Sequence, residues 1–563
     1  MIKIADRSNY SSDVGGQTKN ILLICSLVVL LFTSCDDFLS TLPDNRTQLN
    51  TQEKISQLLV SAYPTANYST LTELSSDNFV DNNSILPVLL TGFEQMDDQV
   101  YAWEAVTSST EEDSPSYVWG KCYAAIAAAN HALAAIEQLK AEGSKADMSA
   151  QKGEALLCRA YGHFILVNVF SQAYKDDVAS VSDMGIPYVT APETVVQGNY
   201  TRETVTSVYQ KIQKDIEDGI GLISDQNYKI PKYHFNKKAA SAFAARFFLY
   251  KRDYEKVVLY ANDVLGSDPT AFMRDWTGYF GSSSEIGYDY INVDLPCNLL
   301  IIPTYSSFNR NFGSRYGHNG DAMYGSTYGS GPTWTGSLPC FDGKLYTSGK
   351  QDYGVFYPKC DEMFEYTDKV AGIGYAHVTR AEFTVEETLL CRAEALVYLN
   401  RISEAVADLQ VWNKSHLAPN TLTESIIRSF YTSDKTLFVK KLNAGKMSSK
   451  FIVTATQEPI IHCILHFRRI ETMFDGYRWF DLKRYGIEIK HAIGTSRVET
   501  LVYNDVRRAI QLPQEVISAG MVANPATTTP INKSTYSLFQ KSTTGNDSTS
   551  IKSIISRYEK NIK

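Results

Sequence analysis

The sequence predicts a mainly α-helical body interrupted by long loop-rich insertions. Three observations carry that expectation. Apolar residues recur at three- and four-residue spacing through much of the chain, and two distant segments repeat one helix–turn–helix pattern. Between them, residues 268–360 hold 18 aromatics and 13 of the 33 glycines without helical or strand periodicity, as a long functional loop region would.

The helical elements follow in chain order. Tyr117 to Leu139 sets Trp119, Tyr123, Ile126, Ala127, Asn130, Leu133 and Ile136 along one helical stripe. Lys152 to Phe170 continues in kind, and a turn over Asp183 to Pro187 ends that stretch. Thr201-Arg-Glu-Thr204 supplies a capping start for a helix reaching Ile223. Ala245 to Val257 aligns with Glu394 to Val406, with polar turns at Lys251–Asp253 and Asn400–Ile402. Each reads as a hairpin that needs a neighbour to cover its apolar face, and together they resemble degenerate tetratricopeptide pairs.

At the N-terminus, Lys3, Arg7 and Lys19 precede an apolar run from Ile21 to Phe32. Twelve helical residues span ~18 Å, too short for a hydrocarbon core of ~30 Å, so residues 1–34 read as an export signal. The following Thr33-Ser34-Cys35 resembles a bacterial lipobox, which makes Cys35 the expected lipidated first residue of the mature protein. Residues 35–525 are expected to form one domain, and 526–563 a polar extension to which no role is assigned.

Composition narrows the function. With 54 Lys+Arg against 62 Asp+Glu and no basic stripe, general affinity for nucleic acid is excluded. The seven cysteines beyond Cys25 and Cys35 form no CxxC pair, so neither a disulfide framework nor a zinc site is indicated. Cys122, Cys158 and Cys391 read as small core residues. His462 and His466 lie one helical turn apart but lack a third ligand. No HExxH, P-loop, nucleophile elbow or dinucleotide fingerprint is present, and no carboxylate pair stands out. The chain therefore reads as a binding protein without a cofactor, metal or catalytic residue.

The 35 Tyr, 25 Phe and 6 Trp say more. Sugar rings stack their C–H faces on aromatic side chains while their hydroxyls bond Asp, Asn and Arg. Candidate ligand residues in the insertion are Tyr305, Phe308, Arg310, Phe312, Arg315, Tyr316, Tyr324 and Trp334, joined by Asp77, Asn78 and Trp103.

The densest motif runs from Arg468 to Gly486: Arg-Arg-Ile-Glu-Thr-Met-Phe-Asp-Gly-Tyr-Arg-Trp-Phe-Asp-Leu-Lys-Arg-Tyr-Gly. It resembles the C-terminal signature of the SusD/RagB-like outer-membrane nutrient-binding lipoproteins at Arg469, Glu471, Gly476, Arg478, Asp481, Leu482, Arg484 and Gly486. Asp475 stands where the family usually has Glu, and the chain departs from the family's ending after Asn524-Pro525. The order of the remaining features also agrees: the lipobox with Asp36-Asp37-Phe38-Leu39, Leu74-Ser-Ser-Asp77, Arg159-Ala-Tyr161, Gly185-Ile-Pro187 and Leu512-Pro513.

The resemblance implies a scaffold of four tetratricopeptide-like hairpins and a loop-rich ligand region. It also implies a SusC-like TonB-dependent outer-membrane barrel as partner, with an oligosaccharide as ligand. Peptide is the runner-up ligand, as in the RagB-like branch; a helical-repeat interaction scaffold and a glycoside hydrolase are the further alternatives. Arg469, Glu471, Gly476, Arg478, Asp481 and Arg484 are expected to be structural, since guanidinium–carboxylate pairs lock helices together.

Overall fold

The structure is a computed structural model that describes residues 49–526, apart from 86–93, 194–199, 279–282, 312–314, 343–344, 349–353, 357–358 and 360. Cys35, the export signal, Phe312, Cys360 and residues 527–563 lie outside the described residues.

Short helices α1 (Gln52–Leu59), α2 (Ser69–Ser75) and α3 (Gln95–Tyr101) lead into α4 (Pro115–Ala141), α5 (Ser149–Phe170), α6 (Val205–Ile220), α7 (Lys237–Lys251) and α8 (Tyr254–Leu265). After α9 (Ser283–Tyr290) and α10 (Gly320–Tyr324), the helical body resumes with α11 (Val385–Tyr398) and α12 (Ile402–Ser415). It continues through α13 (Glu424–Phe430), α14 (Ala444–Met447), α15 (Glu458–Glu471), α16 (Tyr477–Tyr485) and α17 (Gln514–Ser518). Each long helix covers the apolar face of its neighbour: α4 on α5, α5 on α6, α7 on α8, α8 on α11, and α11 on both α12 and α15. The expected mainly α, tetratricopeptide-like scaffold is present.

Local chemistry explains the boundaries. Ser114 accepts the amide of Tyr117 and Pro115 occupies the first turn of α4, both strong helix starters. The α4 face towards the core is largely alanine (Ala125, Ala128, Ala129, Ala132, Ala135), which lets α5 approach closely. At Gly162 a Cβ would stand 2.8 Å from Ile126 Cγ1, so glycine sets that crossing distance. Thr204, not Thr201, caps α6 through the amide of Ser207, and the helix stops at Ile220. The two similar hairpins turn alike: Arg252 (φ 66°) follows α7 and Asn400 (φ 59°) follows α11, each in the left-handed conformation that ends a helix.

The expectation that 268–360 lacks regular structure is corrected. It contains the eight-residue strand β2 (Asn298–Tyr305), which pairs antiparallel with β7 (Ile373–Thr384), itself antiparallel to β6 (Glu362–Asp368). Leu299–Ile302 is buried on both faces and so shows no period-two alternation, and its partner strand lies beyond residue 360. Smaller pairs are β1 (Val80–Asp81) with β3 (Tyr316–Gly317), β4 (Tyr346–Ser348) with β5 (Gly354–Phe356), and β8 (Ile489–Ile493) with β9 (Arg497–Leu501).

Candidate ligand-binding surface

The signature helices α15 and α16 meet at a tight turn where Phe474 (φ 68°) and Gly476 (φ 82°) are left-handed. A Cβ on Gly476 would fall 2.0 Å from Thr72 Oγ1, and its amide donates to Glu73 Oε1 at 2.9 Å. Around this turn lies a buried ionic lattice. Asp481 accepts from Arg468 (3.1 Å) and Arg484 (2.6 Å), and Arg484 also grips Glu394 of α11 with both terminal nitrogens (2.7 and 3.1 Å). Glu471 accepts the Trp412 indole at 2.9 Å and pairs with His416 at 3.1 Å. Lys359 pairs with Asp475 at 2.5 Å.

Asp77 and Asn78 join this lattice instead of standing free. Arg478 grips the Asp77 carboxylate at 2.7 and 2.9 Å, while Arg469 donates to Asn78 Oδ1 (2.8 Å) and to the Asp77 carbonyl (2.6 Å). Burial pushes the Asp77 carboxyl up, but Arg469 and Arg478 outweigh it and hold the group well below the usual carboxylate range. Asn78 is fully buried and donates to Glu73 as well.

Several aromatic candidates serve packing. Trp103 donates its indole N–H to the Ser75 carbonyl (2.8 Å) and stacks on His491 at 4.1 Å, while Trp334 donates to the Tyr328 carbonyl at 3.0 Å. Both indoles are buried, so neither offers an open stacking face. Phe308 and Tyr316 are buried too. Arg315 bridges Asp81 (3.0 Å) and Asp98 (2.9 Å), and the Tyr316 hydroxyl donates to Asp98, which ties β3 to β1 and α3. Arg310 lies in a short 3-10 turn, Phe308–Asn311. Tyr324 keeps 38% exposure. His466 receives the Tyr431 hydroxyl proton at Nδ1 (2.8 Å) and donates from Nε2 to the Thr327 carbonyl (2.6 Å), a neutral packing histidine. Cys122, Cys158, Cys297 and Cys391 are buried free thiols.

What remains at the surface is a tyrosine cluster that sequence reading found only in part. Tyr305 ends β2 opposite His377, so Tyr375, two residues along β7, shares its face of the sheet. Their rings meet edge to face at 5.1 Å, and Tyr375 is 44% exposed. Burial, Tyr375, Glu365 and Glu112 together raise the Tyr305 hydroxyl pKa, and Glu365 lies directly opposite Tyr375 in the sheet. The field of Tyr305 also reaches Tyr117, at the start of α4, where Lys121 sits 5.0 Å above the ring. The missed signal was two short runs rich in strand-favouring residues, Phe364 and Tyr366 in one and Ile373, Tyr375 and Val378 in the other, split by a turn with Gly372 at φ 68°.

A sequence model of the family described as starch-binding and associating with the outer membrane matches residues 37–249, and the SusD family model matches 337–549. The chain belongs to the SusD/RagB-like family. A curated relative, SusD-like protein P2 of Formosa agariphila, is 22% identical over 448 residues, or 72% of this chain and 78% of the relative. Among solved structures, a SusD-like carbohydrate binding protein from Bacteroides vulgatus superposes with a TM-score of 0.53 at 16% identity, over 84% of this chain and 96% of that one. A SusD superfamily protein from Bacteroides thetaiotaomicron gives 0.54 at 16% identity, over 84% and 100%. At identities this low, these superpositions show a shared fold alone.

Proposed function

We propose that this SusD-family chain is a non-catalytic capture protein for oligosaccharide nutrients. In this reading it is held at the cell surface by lipid on Cys35 and passes its ligand to a SusC-like TonB-dependent barrel. The observation that carries the ligand class is the exposed Tyr375 ring against the half-buried Tyr305, with Glu365 directly opposite Tyr375 in the sheet. Two rings near a right angle offer a stacking face and an edge to successive sugar units, and the Glu365 carboxylate accepts sugar hydroxyls. Tyr305 is tied to the N-terminal segment by its amide, which donates to the Thr65 carbonyl at 2.8 Å, and β7 runs directly into α11 at its far end.

The test is calorimetric titration with a panel of plant and host glycans and mixed peptides, with reducing-end assays alongside. Saturable binding of one glycan class, weakened by Tyr375→Ala and without release of reducing ends, is the expected result. Peptide binding would replace glycan as the ligand, and glycan cleavage would end the non-catalytic reading.

A further inference from the structure

A second feature lies away from the tyrosines, where α15, α16 and the segment around Lys440 enclose a cleft. It holds about 300 Å³ of empty space, its open mouth included, and Ser326, Lys440, His462, Arg469 and Arg478 line it. Of the ten side chains that line it, four are apolar and three are cationic. Against them stands Asp77, whose carboxylate is already gripped by Arg478 and lies 3.8 Å from Arg469. Glu73 is close enough to act on both arginines but is occupied by Asn78 and the Gly476 amide. Glu458, one turn before His462, stands 3.6 Å from it and is 46% exposed to water.

One charged group in the cleft has no partner among the described residues, and a second group makes no hydrogen bond at its ring nitrogen. The Lys440 ammonium makes no hydrogen bond or ion pair among the described residues, although the residue is half-buried. His462 is 2% exposed, and its Nε2 makes no hydrogen bond among the described residues, with only the Glu458 carboxylate facing it at 3.6 Å. Natural interiors rarely leave such groups orphaned without a use. We infer that this cleft takes a small anionic substituent, a carboxylate or a sulfate ester, carried by the captured glycan. Lys440 would supply the free charge, Arg469 the second, and His462 an N–H or lone pair at the back of the cleft.

The electrostatics agree. Burial pulls the Arg469 pKa down to about 10, opposed by Asp77 and reinforced by Arg478. Burial likewise lowers Lys440, with Asp77 opposing and Arg469 and Arg478 adding. Positive charge is thus held at a cost in the empty cleft, and an incoming anion relieves it.

The inference rests on the capture reading only for the identity of the carrier. Its test is calorimetry on the full chain in detergent with D-glucuronate, D-glucose 6-sulfate, D-glucose and inorganic sulfate. The variants are Lys440→Met, which keeps the stem without the charge, and Lys440→Arg, which keeps the charge. The anionic sugars are expected to bind at least about tenfold more tightly than glucose, to lose about tenfold in Lys440→Met, and to bind Lys440→Arg nearly as wild type. Whether glucuronate or the sulfate ester binds better identifies the substituent. Equal binding of charged and neutral sugars, or anion binding unchanged in Lys440→Met, would overturn the inference and leave glycan capture standing. Lys440-dependent binding of inorganic sulfate with a blank for every glycan would overturn the sugar carrier and the capture reading together.

Discussion

Asp77→Asn is the most informative single change, because Asp77 joins the end of α2 to a signature helix about 400 residues away. The substitution keeps the shape but puts an amide N–H where the Arg478 guanidinium expects an acceptor. Breaking a buried ion pair costs ~3–5 kcal/mol by stranding its partner. Asp77's side chain retains 16% exposure against 5% for Arg478, which favours the lower end, about 3 kcal/mol. For a folded body of about 480 residues, unfolding entropy near 2.1 cal/mol/K per residue makes 1 kcal/mol worth about 1 °C, so Tm should fall by about 3 °C. The pH dependence sharpens the test. Asp77's folded pKa is depressed, so its stabilisation is complete above the unfolded value of 3.8 and is lost as pH falls below it. The gap between wild type and variant should therefore narrow by about 1.4 kcal/mol per pH unit under pH ~3.8. Calorimetric scans from pH 7 to pH 3 read both quantities. A Tm change under about 1 °C at pH 7, or a gap that ignores pH, would refute the assignment of Asp77 as the counter-ion.

Other consequences are equally direct. Tyr305→Ala and Tyr375→Ala should each weaken glycan retention about tenfold in affinity electrophoresis while moving Tm by less than about 2 °C, since Tyr375 is 44% exposed. Gly476→Ala should destabilise by about 3 kcal/mol or more, visible as reduced soluble yield and Tm, because the new methyl meets Thr72 at a left-handed position. Burial, with Glu94, Asp113 and Asp98 nearby, pushes the Asp97 carboxyl up to about 7 against the Glu94 amide, and its Oδ1 has no hydrogen-bond partner among the described residues. Its folded pKa lies above the unfolded value, so the protonated group costs nothing below pH ~4 and the penalty grows through pH 7. Asp97→Asn should then raise Tm by a few degrees at pH 8 and converge on wild type near pH 4. Arg380→Met should speed hydrogen exchange across 373–384, because Arg380 fastens that strand to Asn67 (2.8 Å) and to the Asp475 carbonyl (3.1 Å).

The helical scaffold was legible because its signal is local. Hairpin turns at Lys251–Asp253 and Asn400–Ile402, alanine stripes and capping residues each specify structure within a few positions. The sheet was not, since β2 is buried on both faces and pairs with a strand about 75 residues later. The same distinction governs the ligand surface. Tyr305 could be nominated from composition, but Tyr375 becomes its neighbour only through sheet register. Trp103 and Trp334 carry the residue type that sugars favour, yet each found a backbone carbonyl for its N–H and a covered face for its ring. Residue type alone does not distinguish an anchor from a platform. Asp77 and the signature arginines belonged to separate expectations, ligand and structure, until the fold brought them within 2.7 Å.

The buried lattice around the signature also bears on the ligand surface without touching it. Ion pairs taken out of water gain little net stability over well-packed apolar groups, so their number does not explain their presence. What they do supply is placement. Arg246 of α7 lies between the rings of Phe383 and Tyr477 (4.1 and 4.3 Å) and bonds Glu382, which also accepts from Arg380 and the Tyr477 hydroxyl. Through Glu382 and Arg380, strand β7 is fastened to α7, α16 and the turn at Asp475. Tyr375 sits five residues before Arg380 on that strand. The signature therefore fixes the root of the strand that presents the exposed ring, and a ring held in place before the ligand arrives loses less entropy on binding. The ionic lattice and the tyrosine pair are thus two parts of one arrangement: a rigid root, made of groups that must find partners or stay unfolded, and a surface tip free to meet sugar.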